Sequence, residues 1–422
     1  MSLAVSSPPA RAQTLPMPAL PPEEPPADTT GPDEITAVGP AAREVRPPPW
    51  ELGLGFGVGY DSNIDFLVPD GPSSWAMQPW ADVTRVFSSR SGDLRLGGSG
   101  RWVGYPDRTD LSRYYADASL DGNYRTSPAT SWRVTGHYDF GHSDSIATLS
   151  AQGVLLPLVK TQSLTGGFGM THRFGQRTSL RLDGRIYRTE FDRSDPASLG
   201  LVDGQSIRGT VGLEQRLGPR DTLAIEYSLE SALARNVSVS AAEGRRYYLT
   251  HYGSLQWTRL FSPRSGLLLE GGASYTPDYA LAELARPEGF FGGATFSRLV
   301  KRSRLAIFAR REVTPAFGLG VSRVDSRFGL DIATPMGRAW RLALSGTYTR
   351  PETPEGAAFA YGISNEALFT LGRRLGRYLE LSAEGRYRWR GAAATFPQIQ
   401  AYQAGLFVSL IAPWRTLGFR YQ

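Results

Sequence analysis

Trp50-Glu-Leu-Gly-Leu-Gly-Phe-Gly-Val-Gly-Tyr60 alternates without a break: Trp, Leu, Leu, Phe, Val and Tyr hold the even positions, Glu and four Gly the odd ones. A period of two places one set on each face of an extended strand. Eleven residues exceed the usual five or six of a soluble strand. About nine to eleven tilted residues are what a strand needs to cross a bilayer. One face is apolar throughout, which suits lipid, and the other is small or charged, which suits an aqueous interior.

The same pattern runs along the rest of the chain. Ile207, Gly209, Val211 and Leu213 alternate with Arg208, Thr210, Gly212 and Glu214. Leu223, Ile225, Tyr227 and Leu229 alternate with Ala224, Glu226, Ser228 and Glu230, and comparable runs begin at Trp132, Trp340 and Leu379. Short connections resemble one another: Phe87-Ser-Ser-Arg-Ser-Gly, Phe174-Gly-Gln-Arg-Thr-Ser, Leu217-Gly-Pro-Arg-Asp-Thr and Phe261-Ser-Pro-Arg-Ser-Gly. Pro and Gly supply the fixed and the positive φ that tight turns need. Phe174 to Leu217 is 43 residues and Leu217 to Phe261 is 44, so one period is a strand, a long loop, a strand and a short turn.

The expectation is an all-β fold, a single closed antiparallel transmembrane barrel of about eighteen strands, with sixteen as the alternative. The strands fall at 50–60, 75–87, 94–105, 113–125, 131–140, 157–174, 178–191, 205–217, 222–234, 245–261, 266–276, 288–300, 304–313, 323–333, 339–350, 359–372, 377–390 and 398–410. Eight short turns and nine long loops join them. The segment 414–422 is either an extra strand fragment or the closing strand. A soluble propeller also repeats every 40–45 residues, but a blade would need four short strands per period where this chain offers two long ones.

Aromatic residues gather where the two membrane interfaces would lie. Trp50, Trp132, Phe174, Trp257, Phe261 and Trp340 fall near the short-turn side. Tyr60, Trp75, Tyr105, Tyr138, Tyr275, Tyr348 and Trp389 fall near the long loops. No stretch of 18 apolar residues exists, so no helix is expected to span a membrane. Mean hydropathy is −0.28, as expected when only alternate residues face lipid.

Residues 1–49 are a different material, rich in Pro, Ala, Glu and Thr, as in Pro-Pro-Glu-Glu-Pro-Pro at 21–26. Such a segment cannot bury enough apolar surface to offset its ordering entropy, and it reads as a disordered periplasmic tail. Ala10-Arg11-Ala12 has the small-x-small form of a signal-peptidase site, which makes 1–12 a candidate signal remnant; chance in an Ala/Pro-rich segment is the alternative. The barrel is assigned to 50–422.

The basic pI of about 9.5 does not point to nucleic acid, because Arg recurs singly at turns and not in runs. No cysteine is present, which removes disulfides, thiolate metal sites and Cys nucleophiles. The four His are scattered, and His142-Ser143 sits at a loop, so neither a metal centre nor a hydrolase is expected. Gly53-x-Gly55-x-Gly57-x-Gly59 lines one strand face with no helix after it, and reads as small lumen-facing residues, not a phosphate loop. Asp61-Ser62-Asn63-Ile64-Asp65 starts like a calcium loop but has Phe66 where Gly belongs; turn chemistry explains it as well. No cofactor, metal or catalytic group is assigned.

Gly59-Tyr60-Asp61-Ser62-Asn63-Ile64 resembles the opening of the putative β-barrel porin families of outer-membrane proteins. That resemblance implies a bacterial outer-membrane location and a barrel without catalytic residues. Because some of those barrels are associated with exopolysaccharide export, it also implies a candidate role in glycan secretion. The expected function is a passive solute conduit, with a dedicated exopolysaccharide channel or a loop-closed structural or adhesive barrel as alternatives. Expected partners are the lipid bilayer, a solute or glycan in the lumen, and periplasmic proteins docking on the tail. Lumen-lining candidates are Arg181, Arg185, Arg208, Arg216, Glu226, Glu230, Glu270 and Arg341; Trp80, Tyr248 and Tyr252 are candidate inward aromatics.

Overall fold

The computed structural model describes residues 50–413 apart from 65–68, 143–158, 193, 195–202, 238–243, 278–288, 317–320, 338, 353–362, 377 and 393–397. Residues 1–49 and 414–422, and with them the tail and the terminal fragment, lie outside the described residues. Eighteen strands form one sheet. They are β1 (Trp50–Asp61), β2 (Ser74–Ser88), β3 (Gly92–Val103), β4 (Arg113–Ser127), β5 (Thr130–His142), β6 (Lys160–Arg173), β7 (Thr178–Phe191), β8 (Asp203–Arg216) and β9 (Asp221–Val237). The second half comprises β10 (Gly244–Ser262), β11 (Ser265–Tyr275), β12 (Gly289–Val300), β13 (Ser303–Ala316), β14 (Val321–Met336), β15 (Trp340–Glu352), β16 (Ser364–Leu375), β17 (Leu379–Arg390) and β18 (Ile399–Pro413).

Every strand pairs antiparallel with its sequence neighbours, and β1 pairs with β18, which closes the barrel. The closing ladder runs from Glu51 opposite Pro413 to Asp61 opposite Gln403. Closure removes both sheet edges, and with them the unpaired backbone groups that lipid cannot satisfy. The single helical turn among the described residues is a 3₁₀ turn at Thr109–Leu111. The expected eighteen strands are all present, so the sixteen-strand alternative falls.

Alternation sorts the side chains as expected. Leu54, Phe56, Val58 and Tyr60 of β1 are exposed on the outer wall, as are Ile207, Val211 and Leu213 of β8. Tyr105 departs from its expected place. It lies beyond the end of β3, in a loop that turns into the barrel, and is fully buried there. Tyr60 and Trp75 meet edge to face at 5.8 Å on the outer long-loop rim. At the short-turn rim, the Arg85 guanidinium lies 4.6 Å from the Trp50 ring and Arg373 lies 5.0 Å from Trp340.

Leu213 stands between Leu180 and Ile225 in the ladder, on the lipid face. Leu213→Arg is expected to cost about 1–2 kcal/mol in a bilayer refolding titration, between the interfacial and midplane penalties for a cation, because Leu213 lies three residues from the short-turn end of β8. Glu214→Ala, one residue on and facing inward, is expected to change little. A neutral Leu213→Arg beside a costly Glu214→Ala would invert the facing.

Candidate functional site: the barrel interior

The inner wall of β1 is built by its neighbours. A Cβ on Gly53 would lie 2.1 Å from Asp82 Oδ1, and one on Gly55 2.2 Å from Trp80 Cε2. One on Gly57 would lie 2.0 Å from Phe407 Cδ1. The glycines therefore do not line open space, as the alternation alone suggested. They are seats over which Asp82 and Trp80 of β2 and Phe407 of β18 lie.

Above these seats the long-loop end is packed. Ile64, Trp80, Val103, Tyr105, Tyr115 and Phe407 belong to one buried apolar cluster inside the barrel. Asp61, fully buried, holds it to the wall: its carboxylate accepts from the Asn63 N–H at 3.1 Å, Gln403 Nε2 at 3.1 Å and the Tyr105 hydroxyl at 3.4 Å. Arg113 of β4 donates to the Ile64 carbonyl at 3.2 Å. Asp61 and Asn63, read above as loop formers, thus join β1, β18 and the loop after β3.

Farther round, the inner wall is polar and many of its charges are paired. On β5 and β6, His137 Nε2 lies 2.8 Å from Asp139, which also accepts from the Ser163 hydroxyl at 3.0 Å. On β7–β11 the structure places six of the eight lumen candidates, Arg181, Arg185, Arg208, Glu226, Glu230 and Glu270, away from the short-turn rim on adjacent strands. Arg181 lies 2.5 Å from Asp183 and 3.7 Å from Glu226. Glu226 accepts from Gln256 at 3.1 Å. Arg208 donates to Ser228 at 3.2 Å and stacks 4.4 Å from the Tyr252 ring, while the Tyr252 hydroxyl donates to Glu230 at 3.1 Å. Arg185 stands opposite Arg208 in the ladder, and Glu270 opposite Gln256.

The remaining two lie apart. Arg216 is exposed at the short-turn end of β8, and Arg341 of β15 pairs with Glu380 of β17. Glu214 stands opposite Ser179 and Ala224, and the carboxylate that reaches Arg181 from β9 is Glu226.

A further set lies on β13–β17, of which Arg310, Glu312, Arg327 and Glu366 were missed by the sequence reading. Glu312 of β13 lies 3.5 Å from Arg310 and 3.3 Å from Arg327, and Arg386 pairs with Glu366. Arg310 and Arg327 face each other across the ladder, and the Glu312 carboxylate they share relieves the repulsion between them. The same alternation that exposed the other charges marks these positions.

Of the aromatic candidates, Trp80 and Tyr252 point inward and are nearly fully buried. The side chain of Tyr248 lies outside the described residues. Trp132, Tyr138, Trp257, Tyr348 and Trp389 take the outward alternate positions of their strands, with Tyr138 reaching Gln162 at 3.2 Å and Trp257 donating to Asp221 at 3.2 Å.

The family described as "Putative beta-barrel porin 2" matches residues 53–244. No curated protein matches the sequence. Among solved structures, OccK2 (OpdF) of Pseudomonas aeruginosa superposes with a TM-score of 0.45 at 11% identity, over 86% of this chain and 97% of that one. The outer membrane protein OpdK of the same organism gives 0.44 at 12% identity, over 86% and 98%. The siderophore receptor PirA of the same organism gives 0.41 at 9% identity, over 86% and 81%. Likeness at this level of superposition carries no functional information.

Proposed function

From the premise that this chain is a porin-like β-barrel of the bacterial outer membrane, matched to its family over residues 53–244, we propose that it is a passive conduit for small polar solutes. The observation that carries this reading is the lining of β5–β17. Many of its charges occur in opposite-sign sets on neighbouring positions: Arg181 with Asp183 and Glu226, Arg310 and Arg327 with Glu312, Arg386 with Glu366. A lumen lined this way is wet and locally neutral. Selectivity follows charge at the constriction, not the net charge of the chain, so the basic pI does not make the pore anion-selective.

The exopolysaccharide reading needs ring faces open to a sugar. Tyr252 is covered by Arg208, and Trp80 lies on the Gly55 seat, so neither offers one. For that reason we favour small solutes over a glycan. The loops at Ile64 and Tyr105 cover one sector of the mouth, which is the feature a loop-closed barrel would extend.

Purified protein in a planar bilayer separates these readings. Open steps with a reversal potential near zero in a salt gradient are expected. Absence of steps would support the closed barrel, block by an added polysaccharide would support the glycan channel, and strong anion preference would mean unpaired Arg at the constriction.

A further inference from the structure

The connections that join the strands at their two ends differ in the charge of their sequences. The eight short turns, at 89–91, 128–129, 174–177, 217–220, 263–264, 301–302, 337–339 and 376–378, contain eight Arg or Lys and no Asp or Glu. The nine long connections between the other strand ends contain twelve Asp or Glu and three Arg. Arg90, Arg177, Arg220, Arg264, Lys301 and Arg302 are all exposed, and none makes an ion pair with a carboxylate among the described residues. A ring of like charges without local partners is self-repelling, and it attracts a complementary polyanion.

The chain supplies one. Residues 13–42 contain Glu23, Glu24, Asp28, Asp33 and Glu34 and no Lys or Arg. This stretch joins the barrel at Trp50, which pairs with Arg85 beside the first short turn, so it leaves the wall at the basic rim. Asp28 is 22 residues from Trp50. Proline-rich chain extends about 3.1 Å per residue, or roughly 70 Å over that length. Eighteen strands about 4.8 Å apart and tilted by about 40° close a ring roughly 36 Å across. The acidic stretch can therefore reach every short turn. Tethering holds it there at about millimolar effective concentration, at which weak exposed ion pairs suffice.

We propose that the acidic stretch 23–34 docks on the basic ring of short turns at the periplasmic end of its own barrel. Anionic phospholipid headgroups are the competing occupant. The tail is favoured because its five carboxylates and the unpaired cations are covalently joined at the same rim.

The absence of native cysteine makes the test direct. The full chain carrying Thr30→Cys and Gln176→Cys, nitroxide-labelled in discs of zwitterionic lipid, gives the tail-to-turn distance by pulsed dipolar spectroscopy. A short-distance population is expected at about 0.05 M salt, falling at least about threefold at about 0.5 M as the charges are screened. It should fall equally when Glu23, Glu24, Asp28, Asp33 and Glu34 are replaced together by Gln or Asn. It should also fall with Arg220→Gln, Arg264→Gln and Arg302→Gln combined. A distribution that ignores salt and both sets of substitutions overturns the proposal. So does one that is short in zwitterionic discs and lost when phosphatidylglycerol is included, which would give the ring to headgroups. Barrel function is not part of the readout, so a failure of the conduit reading leaves this result interpretable.

Discussion

Gly55→Val is expected to destabilise the barrel by about 3 kcal/mol, at the upper end of the usual cost of overpacking. The added Cβ would fall 2.2 Å from Trp80 Cε2 and 2.4 Å from its Nε1. The obstacle is not the end of a flexible chain. It is the body of an indole that is 8% exposed, opposite Arg101 in the ladder and within the apolar cluster at the mouth. The ring cannot swing away without leaving that cluster. Valine itself suits a strand, so propensity works against the expected loss and cannot produce it.

Two controls isolate the clash. In a Trp80→Ala background Gly55→Val should cost under about 1 kcal/mol, since neighbouring substitutions that share a contact are strongly non-additive. Gly209→Val, on the outer face of β8 with nothing within 4 Å of its Cβ, should change stability by no more than about 0.5 kcal/mol. Unfolding titrations followed by heat-modifiable gel mobility measure all three. An equal cost for Gly55→Val in both backgrounds would mean that Trp80 does not rest on that glycine.

This seat shows where the sequence stops being readable. Alternation over Trp50 to Tyr60 assigns the glycines to the inner face, and they are on it. Alternation cannot say what covers a face. That depends on the ladder that sets Gly55 opposite Trp80 and on the closure that sets Gly57 opposite Phe407. The eighteen strands were legible because each is a local, period-two signal bounded by a turn that repeats after 43 or 44 residues. Leu213 and Glu214 needed no partner to declare their faces. The pairing of Arg181 is half legible: Asp183, two residues away, shares its face by alternation alone, while Glu226, two strands over, needs the register of the ladder. Tyr105 was misplaced because an aromatic just past a strand end looks the same in sequence whether its loop turns outward to headgroups or inward to the lumen.

The least legible contact of all joins Asp61 to Gln403, 342 residues apart, and it supports the second large effect. Asp61→Ala is expected to release the inward-folded loops and enlarge the single-channel conductance. The carboxylate is fully buried, and its donors include the Asn63 N–H in its own loop, the Tyr105 hydroxyl in the loop after β3, and Gln403 on the closing strand. A buried donor left without an acceptor costs about 1–3 kcal/mol, so removing the shared acceptor undercuts these attachments at once. The loss falls on the loops, because the ladder between β1 and β18 is made by backbone groups that the substitution leaves in place. Insertion and heat-modifiable mobility should therefore persist while protease cleavage near Ile64 and Tyr105 increases. Asp61→Asn should lie between, since its carbonyl oxygen still accepts from the Asn63 N–H but its amide confronts the donors of Tyr105 and Gln403. Unchanged cleavage together with unchanged conductance in Asp61→Ala would show that the apolar packing of Ile64, Tyr105 and Phe407 holds the mouth without the carboxylate.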